Sequence, residues 1–186
     1  MTTSVGHLDA RTEAYVQHVV RAVDVHVPVV EGYLVGSGAV GGFDPATSDV
    51  DLVVVVERAL GADRRTVVEA VRSMACPVRD LELVLYVHGA QPPAVELNLN
   101  HGEETAAEAF WFVLDAARAQ EHAVPLLHDR PWRDVFEPVS DEQVREAARE
   151  SLAWSERRDD NFARNNAVRT RHFLEHGEWI AKADVE

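Results

Sequence analysis

The sequence predicts an α+β protein. A domain with a mixed sheet and flanking helices spans residues 1–104, and an all-α domain spans 105–186. Three observations point to this class. Strand-like apolar runs and helical periodicities mix up to about residue 104, and only helical periodicity follows. The run "DVDLVVVV" (49–56) is apolar on both faces beyond Asp51, the pattern of a central strand covered on both sides. The polar stretch "NHGEETA" separates the two regimes, and there are no repeats or low-complexity segments.

Each element follows from its own pattern. Residues 9–24 carry Tyr15, Val16, Val19, Val20 and Val23 at helical spacing, with Pro28 beyond. "VVEGYLV" reads as a strand ending at Gly36, and "SGAVGGFDPATS" as a turn region rich in Gly, Pro and Ser. After "DVDLVVVV", the segment "DRRTVVEAVRSM" places Val67, Val68 and Val71 on one helical face. "RDLELVLYV" is a third strand. "AVELNLN" is a fourth, reached through Pro92 and Pro93. Phe110, Val113, Leu114 and Ala117 then stand at i, i+3, i+4 and i+7. Ser140 with Gln143 forms a capping box ahead of the stripe Val144, Ala148 and Leu152. A last helix is expected over about 165–186.

Composition limits the function classes. The chain is 46% hydrophobic and 27% charged, a globular composition, and no apolar run reaches the roughly 18–20 residues of a membrane span. A net charge of -14 argues against nucleic acid as partner and suits a small cationic substrate. Without a signal-peptide core, and with Cys76 the sole cysteine, a reducing cytoplasm is the expected compartment. Cys76, beside Pro77 and with no nearby His, reads as a buried structural thiol.

The chemistry-bearing residues cluster in "YLVGSGAVGGFDPATSDVDLVVVV". Side chains at i and i+2 of a strand share a face, so Asp49 and Asp51 present two carboxylates together. Two close carboxylates repel unless a cation pairs with them, and oxygen-only ligands favour Mg²⁺. Gly36 and Ser37 end the preceding strand, where glycine lets a phosphate approach the backbone. A third carboxylate belongs on a neighbouring strand. Asp80 and Glu82 both stand on the polar face of "RDLELVLYV", and periodicity does not choose between them.

This ordered set of strand, Gly-Ser, turn, D-x-D strand, helix and acidic strand resembles the nucleotidyltransferase superfamily related to DNA polymerase beta. More narrowly, the chain looks like the streptomycin/spectinomycin adenylyltransferases. The likeness runs through "YLVGSGAVGGF", "SDVDLVVVV", "LELVLYV", "ELNLN", "AFWFVLDAARAQEHAV", "WRDVFEPVSDEQVREAARESLAW" and "FLEHGEWIAKADV". The resemblance implies a polymerase beta-like domain followed by a substrate-binding helical domain. It implies transfer of AMP from ATP to an antibiotic hydroxyl, with two Mg²⁺ ions as cofactors. Gly36 and Ser37 would hold the phosphates, Asp49 and Asp51 the metal, and Glu82 would be the general base. Trp154 and Asp159 would belong to the helical domain's share of the aminoglycoside site, and Lys182 would reach the nucleotide phosphates.

The chain also departs from the family pattern. It reads as shortened at "KADVE", about one helical turn is missing between Asn166 and Gly177, and an expected second acidic residue falls on Ala163. A monomer is expected, with self-association if the helical domain is incomplete. Two other readings follow from the same departures: a nucleotidyltransferase acting on a protein partner in the manner of an antitoxin, and a non-catalytic nucleotide-binding homologue. Among the remaining features, Phe110, Trp111 and Phe112 are expected in the core. Trp132 and Phe136 are expected to pack a loop against the helical domain. His172 and His176 lack the neighbouring glutamate of a zinc helix and read as a solvated face.

Overall fold

The computed structural model describes residues 6–90 and 93–180. They fall into two compact units. One holds the residues up to Ala107 together with Arg118–Glu137; the other holds Glu108–Ala117 together with the residues from Pro138 on. In chain order the elements are α1 (Ala10–Asp24), β1 (Val29–Val35), α2 (Gly36–Val40), β2 (Val50–Val56), α3 (Arg64–Arg72), β3 (Leu81–Val87), β4 (Val95–Asn100) and β5 (Glu103–Glu104). Then come α4 (Ala109–His122), β6 (Val124–Pro125), α5 (Asp141–Glu156) and α6 (Asn161–His176). The architecture is the predicted α+β class: a six-stranded mixed sheet with flanking helices, then C-terminal helices.

The sheet order is β5-β4-β3-β2-β1-β6. β2 and β3 run parallel, and the other neighbours pair antiparallel. A parallel pair needs a crossover, and α3 supplies it. α1 starts where the Asp9 carboxylate accepts from Arg11 N at 2.9 Å and Thr12 N at 3.0 Å. Its buried stripe Val16, Val19, Val20 and Val23 joins Val67, Val68 and Val71 of α3 in one core with Leu34, Leu52, Leu83 and Leu99 of the sheet. Each such side chain adds roughly 1.5–3 kcal/mol by leaving water. Gly32 of β1 lets the helix lie close, because a Cβ there would meet both Val20 γ-carbons at 2.7 Å. Cys76 is half-buried against this core, short of the full burial expected.

The opposite face of the sheet is covered by the segment after β6. Trp132 packs on Tyr33 with ring centroids 5.0 Å apart, and Phe136 meets Tyr86 edge-on at 5.8 Å. Trp132 and Phe136 therefore line the sheet of the first unit, not a loop against the helices as the sequence suggested. The reason is Glu31. It is fully buried on β1, and its carboxylate accepts from the backbone N–H groups of Gly32, Leu126, Leu127, His128 and Arg130 at 2.8–3.3 Å. These bonds, with the pairing of Tyr33 to Pro125, tie the later segment to the sheet. The expected division after residue 104 thus differs from the observed one, in which Arg118–Glu137 belongs with the sheet.

The second unit is helical. Ser140 caps α5 with the predicted box, Gln143 N donating to its hydroxyl and Ser140 N to the Gln143 side chain. α5 buries Val144, Ala147, Ala148, Ser151 and Ser155. Asn166 of α6 clamps the two helices by donating to the Ser151 and Ser155 hydroxyls, each at 2.8 Å. Phe110 and Leu114 of α4 and Phe173 of α6 complete the cluster. α6 begins earlier than predicted because Asp160 accepts from Ala163 N at 2.8 Å. It ends at Gly177, whose φ of 80° is the left-handed conformation of a C-terminal stop.

Candidate functional site

Strand register builds the site. The parallel pairing of β2 with β3 brings the starts of both central strands to the same end of the sheet, so the D-x-D run lies beside the Asp80–Glu82 run. Val35 stands opposite Asp51, Asp51 opposite Glu82, and Glu82 opposite Asn100. Paired residues in neighbouring strands share a face, so Asp51, Glu82 and Asn100 form one polar row across three strands. The next positions of β2, β3 and β4 in the core direction are Leu52, Leu83 and Leu99, all buried. The row is half-buried at the end of these strands. The Asn100 side-chain oxygen within it is buried and has no hydrogen-bond partner among the described residues.

Gly36, the first residue of α2 directly after β1, meets the row. Its φ is 62°, and a Cβ placed there would lie 1.9 Å from Asp51 Oδ2. The Asp51 carboxylate therefore rests directly on the Gly36 backbone, and only glycine fits. Ser37 follows in α2, a five-residue helix inside the stretch that the sequence presented as turn.

Asp49 lies just before β2 and is held differently. Arg79 donates Nε to Asp49 Oδ1 at 2.7 Å and Nη2 to Asp49 Oδ2, a bidentate pair. The hydrogen bond and charge of Asp49, with the fields of Glu82 and Asp80, hold the Arg79 guanidinium more firmly protonated than usual. The register separates the two carboxylates that periodicity left equivalent. Glu82 shares the row with Asp51, whereas Asp80 accepts from Leu81 N at 2.7 Å and pairs with His101. Arg79 was not visible as a site residue in the sequence. Its signal is its place two residues before β3, which matters only once the parallel register with β2 is known.

The structure thus gathers Gly36, Ser37, Asp49, Asp51 and Glu82 in the first unit. Trp154 and Asp159 belong to the second unit. There the Trp154 ring forms a triangle with Trp111 and Phe162 at centroid distances of 5.7–6.2 Å, and the Arg158 guanidinium lies 4.6 Å from its centroid. Asp159 is exposed and pairs with Arg164 at 2.6 Å. Lys182 lies outside the described residues. Among the described residues, no group of three or more His, Cys, Asp or Glu side chains is gathered as a metal cage. No described helix is long and apolar enough to cross a membrane.

Among solved structures, the chain is similar to spectinomycin adenyltransferase AAD(9) from Enterococcus faecialis, crystallised with ATP and spectinomycin. The TM-score is 0.75 at 16% identity, over 94% of this chain and 79% of that one. The α+β fold is like that of this adenyltransferase. No protein-family model matches the sequence, and no curated protein matches it. The likeness is therefore one of backbone architecture.

Proposed function

We propose that this protein transfers AMP from ATP to a hydroxyl of an aminoglycoside-type antibiotic and so confers resistance. The observation that carries the reading is the polar row, in which Asp51 stands between the Gly36 turn and Glu82 on an adenylyltransferase-like fold. Gly36 and Ser37 take the triphosphate. Asp49 and Asp51 offer only oxygen donors, which suits a hard cation. Mg²⁺ is commonly held by one or two carboxylates plus substrate phosphates, so two aspartates fit it without a third protein ligand. When bound, Mg²⁺ would neutralise charge on the phosphates. Glu82 accepts the proton of the acceptor hydroxyl as that oxygen bonds to the α-phosphorus. The bond from the α-phosphorus to the bridging oxygen breaks, and pyrophosphate leaves. Trp154 and Asp159 are assigned to acceptor recognition. A net charge of -14 favours encounter with a polycationic drug in a salt-dependent way.

The test is product analysis. Purified protein with MgATP and either streptomycin or spectinomycin is expected to yield drug heavier by one AMP, with pyrophosphate released. Glu82→Gln should slow this by about 10²–10⁴-fold and leave MgATP affinity unchanged in calorimetry. A protein that binds MgATP yet modifies no drug overturns the antibiotic as acceptor. A co-purifying protein that gains AMP would then establish a protein acceptor.

A further inference from the structure

We infer that Arg79 is a specificity-determining residue that occupies Asp49 against free divalent cation and yields it to the cation–nucleotide complex. This rests on the reading of Asp49 as a metal ligand. The geometry supporting it is asymmetric. The Asp49 side chain is only 9% exposed, and the Arg79 side chain covering it is 55% exposed. The pairing is bidentate, the fork-to-carboxylate fit that arginine makes and lysine cannot. Both Asp49 oxygens are therefore engaged by one side chain. A cation approaching Asp49 meets a fixed positive charge and must displace it.

That displacement is easy to offset when an anion arrives with the cation. The Arg79 side of the pair is open to solvent, so water can take over the contacts of the released guanidinium. The charges of Glu82 and Asp80 also attract Arg79, which keeps the released guanidinium near the carboxylate row. A triphosphate brings new anionic oxygens that the planar arginine fork can bind in bidentate fashion. Free cation offers Arg79 nothing, whereas the nucleotide complex exchanges one anionic partner for another. Arg79 thereby turns two aspartates that would hold any hard cation into a site selective for the loaded nucleotide.

The experiment reads two affinities that move in opposite directions. Mn²⁺, as a spectroscopic substitute for Mg²⁺, is titrated without nucleotide and followed by electron paramagnetic resonance. MgATP is titrated separately by calorimetry. Wild type, Arg79→Gln, Arg79→Lys and Asp49→Asn are compared, with circular dichroism showing that each is folded. Arg79→Gln is expected to bind free Mn²⁺ about five- to tenfold more tightly, since a repelling charge and a competitor are both removed. It is expected to bind MgATP roughly tenfold more weakly, from the loss of charge-assisted contacts. Arg79→Lys should fall between the two. If Asp49→Asn loses Mn²⁺ but Arg79→Gln binds Mn²⁺ and MgATP like wild type, or binds both more weakly, the role given to Arg79 is overturned and the proposed activity stands. If wild type and Asp49→Asn bind Mn²⁺ and MgATP identically, the metal-ligand reading of Asp49 falls, and the inference falls with it.

Discussion

Glu31→Gln is the sharpest perturbation of the fold. The substitution keeps size and shape and replaces one carboxylate oxygen with an amide NH₂. Oε1 accepts from Gly32, Leu126 and Leu127, and Oε2 from His128 and Arg130. The glutamine oxygen can serve one of these groups. The other then faces an N–H donor where it needs an acceptor. With the oxygen on the Oε1 side, the His128 and Arg130 amides lose their partner, and each buried unsatisfied donor costs about 1–3 kcal/mol. The loss is therefore about 2–6 kcal/mol, reduced because a neutral amide is cheaper to bury than a carboxylate. A net destabilisation of about 2–4 kcal/mol corresponds to a fall in Tm of roughly 5–15 °C for a chain of this length. Thermal unfolding followed by circular dichroism measures it, and hydrogen exchange at the Leu127, His128 and Arg130 amides locates it. A Tm within 1–2 °C of wild type on this ~5–15 °C scale, with exchange unchanged, would refute the claim that this carboxylate holds the segment on the sheet.

Three further outcomes are expected. Gly36→Ala places a Cβ against Asp51 at a φ of 62°, so it should lower stability by about 1–2 kcal/mol and abolish MgATP binding in calorimetry; retained binding would remove Gly36 from the site. Gly32→Ala overpacks α1 against β1 and should destabilise by about 1–3 kcal/mol, with Val20→Ala in the same chain restoring part of it in denaturant titrations. The helix-capping carboxylates Asp9 and Asp160 are held below their ordinary value of 3.8, chiefly by the backbone N–H groups of Thr12 and Ala163. A depressed folded-state pKa gives stability that is complete above the unfolded value and is lost as pH falls through the folded one. Far-ultraviolet circular dichroism should show helix loss on acidification below about pH 4, and a shallower loss for the double variant Asp9→Asn, Asp160→Asn, whose caps do not titrate.

The parts of the fold written in local patterns were legible in the sequence. Ser140 and Gln143 lie three residues apart, and their capping box needs nothing from the rest of the chain. The apolar run after Asp51 announced a central strand, and the Gly-Ser and D-x-D elements stood within one short stretch. What stayed hidden depends on distant pairing. Glu31 looks like one polar residue in a strand, since four of its five donors lie 95 to 99 residues further along. The same distance concealed where Trp132 and Phe136 pack. Arg79 gained meaning only from the β2–β3 register, which also separated Glu82 from Asp80. Near the start of α6, the polar run "SERRDDNFARNN" masked a helix cap, because Asp160 and its neighbours suit a solvated loop equally well.

The late arrival of residues 126–130 at Glu31 has a consequence for biosynthesis. Chains emerge from the ribosome at roughly 5–20 residues per second, so β1 precedes its loop partners by roughly 5–20 s. For that interval the strand carries a carboxylate with only the adjacent Gly32 N–H among its five donors, and its edge has no β6 beside it. Glu31 stays in water until the segment that can receive it has been made. The sheet therefore closes as a post-synthetic event of its N-terminal half, and a nascent chain arrested at residue 104 carries every strand of the site carboxylates without the donors that let β1 be buried.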